Sequence, residues 1–133
     1  MCLFFFLFFM MGCSAQKVDY SSMLQQMDSS NQVQLDTGKW MLETERGYFM
    51  ELHRFMNVIY EDLMESGKVN EPNLQKDQAN WLKDYKIKAA TIWGSMIESQ
   101  NGDSVLGNDF KLMAYGEQAD LVHKRILELI DKF

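Results

Sequence analysis

Apolar residues recur at helical spacing in three long stretches of the chain, and each stretch predicts an amphipathic α-helix. The middle stretch, Leu74 to Ile97, carries two of the three tryptophans. Because a Trp side chain buries a large area, a helix with two of them on one side needs other helices to cover that side. Its apolar positions are Leu74, Trp81, Leu82, Tyr85, Ala89, Ile92, Trp93 and Met96.

The stretch before it predicts a helix from about residue 39 to about residue 66. Asp36 or Thr37 is expected as its N-cap, and Gly67 is expected just past its end, because helix ends favour these residue types. Its apolar stripe consists of Met41 or Leu42, Phe49, Leu52, Phe55 or Met56, Ile59 and Leu63.

The remaining helix signals complete the predicted fold. Pro72 is expected at the first position of the middle helix, and Asn108 or Asp109 is expected to cap a third helix. Three helices of about 25 residues with short connections pack up-down-up. The sequence therefore predicts an all-α fold, an antiparallel three-helix bundle. The stripe of the third helix is Leu112, Tyr115, Ala119, Val122, Ile126, Leu129 and Phe133.

The N-terminal segment has the features of an export signal. Residues 1 to 12 are almost wholly apolar, too few for a membrane span of about 20 residues but suited to the apolar region of a signal peptide. Two processing reactions fit the residues that follow: cleavage after Ala15, or lipidation of Cys13, since Met10 to Cys13 resembles a relaxed lipobox. We favour the lipoprotein. Both place the protein beyond the cytoplasmic membrane of a bacterium, in the periplasm or on the outer membrane.

The chain therefore divides into three parts. Residues 1–15 form a signal peptide or lipoprotein signal. Residues 16–36 are rich in Ser, Gln, Asp and Asn and are interpreted as a polar tether. Residues 37–133 form the helical domain.

Composition limits the chemistry. The net charge of -6 argues against nucleic acid, whose phosphates require a basic surface; it suits a basic protein partner or simply solubility. Cys2 and Cys13 are the only cysteines, and His53 and His123 stand apart in the sequence. We therefore expect no metal site, no cofactor and no catalytic activity.

Polar residues within the apolar stripes allow two interpretations. Asn57 and Gln78 belong either to a ligand or partner site, or to a buried amide network that fixes the register of the helices. Arg125 is expected to pack its aliphatic stem and to pair its head with a carboxylate.

Together with neighbouring positions, these residues form an ordered set at the spacings NxxY, LxxxQxxW and LxxxRxxxL: Asn57 and Tyr60; Leu74, Gln78 and Trp81; Leu121, Arg125 and Leu129. The set resembles the lysozyme inhibitor LprI-like N-terminal domain family over about residues 40 to 133. The resemblance implies a small, exported, helical protein that binds lysozyme. We interpret the set as the structural frame of the family. The family commonly has Arg where this chain has Tyr85, and Cys where it has Ala89.

A cluster of carboxylates ends the first predicted helix. Glu61, Asp62 and Glu65 lie where negative charge opposes the helix dipole. They form either a solvated helix end or an anionic patch that binds a cationic partner.

The sequence therefore predicts an exported binding protein, and the resemblance implies that it binds or inhibits lysozyme or a related cell-wall hydrolase. The alternative is a non-catalytic structural or assembly protein of the cell envelope. Contact with a membrane is expected only through a lipid anchor.

Overall fold

A computed structural model of the chain describes residues 17–101 and 106–133. The described residues contain four α-helices and no strand, which confirms the all-α class. The predicted signal segment, with Cys13 and both predicted processing sites, lies outside the described residues. The helices are α1 (Tyr20–Asp36), α2 (Met41–Glu65), α3 (Glu71–Ser99) and α4 (Asn108–Ile130).

The core lies mainly between α2 and α4, whose apolar stripes face each other. Both stripes were predicted from their spacing, and the side chains nearest their centres are fully enclosed. Burial of such side chains is the main force that holds the two helices together. The most deeply buried are Leu52, Met56, Ile59 and Leu63 from α2, and Val122, Ile126 and Leu129 from α4.

Helix α1 occupies the segment that was predicted to be a tether. Asp19 caps it by accepting a hydrogen bond from the Ser22 amide, and Tyr20 and Leu24 are buried in the core formed by α2 and α4. The tether prediction was wrong for residues 20–36, because a few apolar positions at helical spacing are enough when two other helices supply the covering surface. The described part of the chain therefore has one helix more than the predicted three-helix bundle.

The turn between α1 and α2 differs from the prediction. Asp36 is the last residue of α1 and Thr37 is its C-cap, so neither caps α2. Gly38 then takes a left-handed conformation (φ 67°), as expected for a residue just past a helix end. Trp40 stands at the N-cap position of α2 with a left-handed backbone (φ 54°), and its side chain is 73% exposed.

The ends of the other helices are close to their predicted positions. Gly67 follows α2 with φ 69°, as predicted. Asn70 caps α3 by accepting a hydrogen bond from the Asn73 amide, so Pro72 is the second residue of α3 and not the first. Gly107, not Asn108 or Asp109, occupies the N-cap position of α4.

Helix α3 packs against α4, but its apolar face is less buried than expected for a helix that carries two tryptophans. Only Leu74, Gln78 and Met96 on α3 are buried, whereas Trp81 and Trp93 are half-buried. The apolar face of α3 meets mainly one neighbour, so the edges of that face stay open to solvent. The helix pair α2 and α4, and not α3, therefore organises the bundle.

Candidate functional site

The carboxylates at the end of α2 do not form one free patch. Glu61 and Glu65 are exposed, but Asp62 is half-buried and its Oδ2 accepts a hydrogen bond of 2.8 Å from the Tyr20 hydroxyl. Burial, together with the hydrogen bond to Asp62 and its charge, raises the pKa of Tyr20 to about 12. Asp62 therefore fastens α1 to α2, and only Glu61 and Glu65 remain available to a partner.

Negative charge is concentrated in the first half of the described chain. Residues 17–66, which comprise α1, α2 and their flanking turns, contain nine acidic and four basic residues. Residues 67–133 contain ten acidic and nine basic residues. Five of the six net negative charges therefore belong to residues 17–66, which we call the acidic half.

One carboxylate joins three helices within this region. Asp28 on α1 accepts a hydrogen bond of 2.6 Å from the Tyr48 hydroxyl of α2, and its other oxygen lies 2.9 Å from His123 Nε2 of α4. Burial and the hydrogen bond to Asp28 raise the pKa of Tyr48 above its ordinary range. Asp28 is therefore a structural link that holds α1 against α2 and α4.

A second carboxylate of the acidic half is buried beside α1. Glu45 on α2 is 8% exposed, and its Oε2 accepts a hydrogen bond of 3.2 Å from Asn31 Nδ2. The other atom of that amide, Asn31 Oδ1, is buried and has no hydrogen-bond partner among the described residues. Buried acceptors without donors are rare in folded proteins, so this amide stabilises the contact between α1 and α2 less than a fully paired amide would.

The contribution of α1 to this region was not predicted from the sequence. The signal was present as the helical spacing of Tyr20, Leu24 and Met27, which Asp28 and Asn31 follow. The polar composition of the segment was given more weight than that spacing. The charges of α1 and α2 were therefore not recognised as parts of one surface.

The residues of the family resemblance fall mainly in the packing between helices. Arg125 is 4% exposed; its Nε donates to Gln78 Oε1 at 3.0 Å, and its guanidinium pairs with Asp77 at 2.7 Å and Glu128 at 3.0 Å. It also lies over the Trp81 ring, 5.9 Å from the centroid. The expected pairing of the Arg125 head with a carboxylate is confirmed, and the network ties α3 to α4.

The other members of the set have different environments. Leu74 and Leu129 are buried, Tyr60 and Leu121 are half-buried, and Asn57 is exposed. The prediction of a buried amide was therefore right for Gln78 and wrong for Asn57. Asn57 follows Met56 directly and is turned away from the stripe that packs on α4.

Tyr85 occupies the position at which the family that this chain resembles commonly has Arg. Its ring stacks on Trp81 at 5.1 Å between centroids, and its hydroxyl lies 3.2 Å from His53 Nε2 and 3.4 Å from Gln118 Oε1. Burial lowers the pKa of His53. Tyr85 therefore links α3 to α2 and α4 through hydrogen bonds and ring contacts.

The described residues contain no group of three or more His, Cys, Asp or Glu side chains arranged to hold a metal ion. No helix among them is both long enough and apolar enough to cross a membrane. In comparisons with known proteins, no family model, no curated protein and no solved structure matches the chain. The acidic half is therefore the candidate functional site on the strength of its own charge and geometry.

Proposed function

We propose that this protein is an exported, non-catalytic binding protein whose acidic half docks onto a basic protein. The observation that carries the proposal is the location of five of the six net negative charges in residues 17–66. These residues form two helices that pack directly against each other. An acidic surface of this kind attracts a cationic protein over distances of about 8–10 Å at physiological salt and speeds its association.

A lysozyme, or a related cell-wall hydrolase, is the proposed partner. Lysozymes are commonly basic, and the ordered residues from Asn57 to Leu129 resemble a family named for inhibition of lysozyme. In this chain Gln78, Trp81 and Arg125 of that set join α3 to α4. We therefore assign recognition of the partner to the acidic half and not to the residues that carry the resemblance.

Attachment to a membrane through Cys13 belongs to the same proposal. Because α1 begins at Tyr20, residues 14–19 are the connection between a lipid on Cys13 and the folded body. Six residues span at most about 20 Å. The acidic half would then work close to the membrane surface.

The alternative is a structural or assembly role in the envelope. The observation that favours it lies on α3, where Leu82 and Ile87 are 38% and 60% exposed. Large apolar side chains left open to solvent are available for contact with other proteins. This role requires no basic partner and no concentration of charge.

A binding and activity experiment with a basic lysozyme tests the proposal. We expect association whose Kd increases as salt rises from low to physiological concentration, because exposed charges are screened. We also expect lysozyme activity to fall as the protein is added. Absence of binding at low salt would refute the proposal and leave the envelope role as the better account.

A further inference from the structure

The turn that joins α1 to α2, residues 37–40, contains two residues with a left-handed backbone. Thr37 still has helical dihedral angles, with φ -68° and ψ -18°, so the chain reverses after it. Gly38 has φ 67° and Trp40 has φ 54°. Glycine takes this conformation without strain, whereas a bulky residue there is an outlier. Trp40 is therefore the strained residue of this turn, which we call the hinge.

The side chain of Trp40 does not offset the strain of its backbone. It is 73% exposed, and it makes no capping hydrogen bond at the N-cap position of α2, where Ser, Thr, Asp or Asn would stabilise the helix. Met41, the next residue, is also exposed, at 38%. A strained backbone persists only where the surrounding structure holds it. The closed hinge is therefore held by the attachment of α1 to the bundle and not by the Trp40 side chain.

The contacts that hold α1 can be supplied equally well by a second copy of the chain. Its hydrogen bonds to the bundle come from Tyr20, Asp28 and Asn31, and their partners lie on α2 and α4. Its buried side chains are Tyr20 and Leu24. All of these partners come after the hinge in the chain, so the α1 of a second copy offers the same contacts. Exchange of α1 between two copies therefore replaces each contact and opens the hinge.

We propose that two copies of this chain form a dimer by exchanging α1. The hinge straightens, and each α1 packs on the α2 and α4 of the other copy. A two-fold axis beside the hinges relates the copies, so the two Trp40 side chains meet there and cover each other. Short hinges under strain favour such an exchange. Formation of the dimer requires no basic partner and is separate from the proposed function.

Substitutions in the hinge test the exchange at positions that pack against nothing else. Trp40→Gly removes the strain of the closed hinge. Gly38→Ala adds strain, because φ 67° disfavours a side chain, although its Cβ would have no heavy atom within 4 Å. Each protein is unfolded in urea and refolded at high concentration, and sedimentation equilibrium then measures the Kd of the dimer. We expect Kd to rise at least about tenfold in Trp40→Gly and to fall at least about tenfold in Gly38→Ala, since each dimer contains two hinges.

Gly67→Ala is the matched control for Gly38→Ala. Gly67 follows α2 with φ 69°, and a Cβ placed on it would also have no heavy atom within 4 Å, so alanine adds the same kind of strain outside the hinge. The Kd of this variant should equal that of the native protein. A fall as large as in Gly38→Ala would show that the dimer responds to lost stability and not to the hinge, which would overturn the proposal.

A chemical cross-link distinguishes exchange of α1 from association of two closed copies. Ser30 on α1 and Glu43 on α2 are exposed and line the same depression. Ser30→Cys and Glu43→Cys, in a chain that also carries Cys2→Ser and Cys13→Ser, place two thiols within reach of a short bismaleimide. In an exchanged dimer the reagent joins the two chains, so we expect a covalent dimer on a denaturing gel. A dimer fraction that yields only single chains on that gel would refute the exchange.

The remaining outcomes also decide the question. A native protein and a Gly38→Ala variant that both stay monomeric after refolding at millimolar concentration would overturn the proposal. If circular dichroism shows that Gly38→Ala does not refold, Trp40→Gly decides in its place, and an unchanged Kd refutes the exchange. If α1 is exchanged but lysozyme does not bind, the proposed function fails and the dimer stands; if lysozyme binds a protein that stays monomeric, only the exchange is wrong.

Discussion

Arg125 places a guanidinium that is 4% exposed among acceptors from α3 and α4. Gln78 is also buried, whereas the side chains of Asp77 and Glu128 are 50% and 46% exposed. Water can therefore solvate the two carboxylates if the arginine is removed, but it reaches Gln78 poorly. The cost of losing Arg125 should come mainly from the unpaired Gln78 carbonyl and from lost packing beside Trp81.

We expect Arg125→Ala to lower the free energy of unfolding by about 2–3 kcal/mol, below the 3–5 kcal/mol that is typical when a fully buried charge is left behind. Urea denaturation, monitored by circular dichroism, measures this loss of free energy of unfolding. Arg125→Lys is the control, because it keeps the positive charge and loses the planar guanidinium. Its free energy of unfolding should lie between those of the native protein and Arg125→Ala. A change below about 0.5 kcal/mol in Arg125→Ala would show that the network contributes little to the attachment of α3.

The burial of a single residue was predictable where the residue lies within a long apolar stripe of its helix. Gln78 and Arg125 stand in register with such stripes, so their burial and their need for partners followed from position. Asn57 is one residue off the stripe, and a shift of one residue turns a helical side chain by about 100°. The partners of Tyr85 were not predictable, because they depend on the relative placement of three helices.

Among the helices, α1 is held differently from the others. Its buried side chains are Tyr20 and Leu24, and its hydrogen bonds to the rest of the bundle come from Tyr20, Asp28 and Asn31. Helix α2, in contrast, contributes six buried side chains. Attachment of α1 therefore depends more on polar contacts, which makes it sensitive to pH.

The two tyrosine hydroxyls that hold α1 predict the direction of this sensitivity. Folding raises the pKa of Tyr20 to about 12 and raises that of Tyr48, so both contribute stability that is fully present below about pH 10, the ordinary tyrosine pKa. This stability is lost as the pH rises through the folded-state values, because the unfolded chain releases these protons first. We expect the urea midpoint to fall between pH 9 and pH 12.

The double variant Tyr20→Phe, Tyr48→Phe is the control for this effect. It lacks both hydroxyls, so its urea midpoint should start lower and decline less over the same pH range. Parallel declines in the native protein and the double variant would show that other groups, such as lysines, cause the loss of stability.

Helices were predicted correctly where apolar residues recur at helical spacing over many turns, and the helix with few such residues was missed. The stripes of α2 and α4 extend over six or more turns, and their burial followed from the pattern alone. Helix α1 has a narrow apolar edge on a polar segment, and only the surface of α2 and α4 makes it stable. Such a helix cannot be recognised without knowing its neighbours.

For the whole molecule, the proposed export segment predicts where the protein is found in a cell. If Cys13 is lipidated, the protein should appear in the membrane fraction and incorporate labelled fatty acid. Cys13→Ser should abolish the label and release the protein. A soluble, unlabelled native protein that begins at Gln16 would establish cleavage after Ala15 in place of lipidation.

The uneven distribution of charge is the property of the whole molecule on which the proposed function depends. The distribution of charge along the chain follows from the sequence, but the surface that carries it depends on α1, whose segment was predicted to be a tether. Glu61 and Glu65 were predicted as a patch with Asp62, and the structure assigns Asp62 to the attachment of α1. Glu43 belongs with the two exposed glutamates as a carboxylate of the acidic half that is open to a partner.

The central claim is that position, and not net charge alone, decides binding to a basic lysozyme. Two triple variants with the same change in net charge test it: Glu43→Gln, Glu61→Gln, Glu65→Gln in the acidic half, and Asp84→Asn, Glu98→Gln, Glu117→Gln in the remainder, all at exposed positions. Exposed charges contribute about 0.5 kcal/mol each, so calorimetry should show a Kd about tenfold weaker for the first variant and nearly native affinity for the second. Equal Kd values for the two variants would contradict the account.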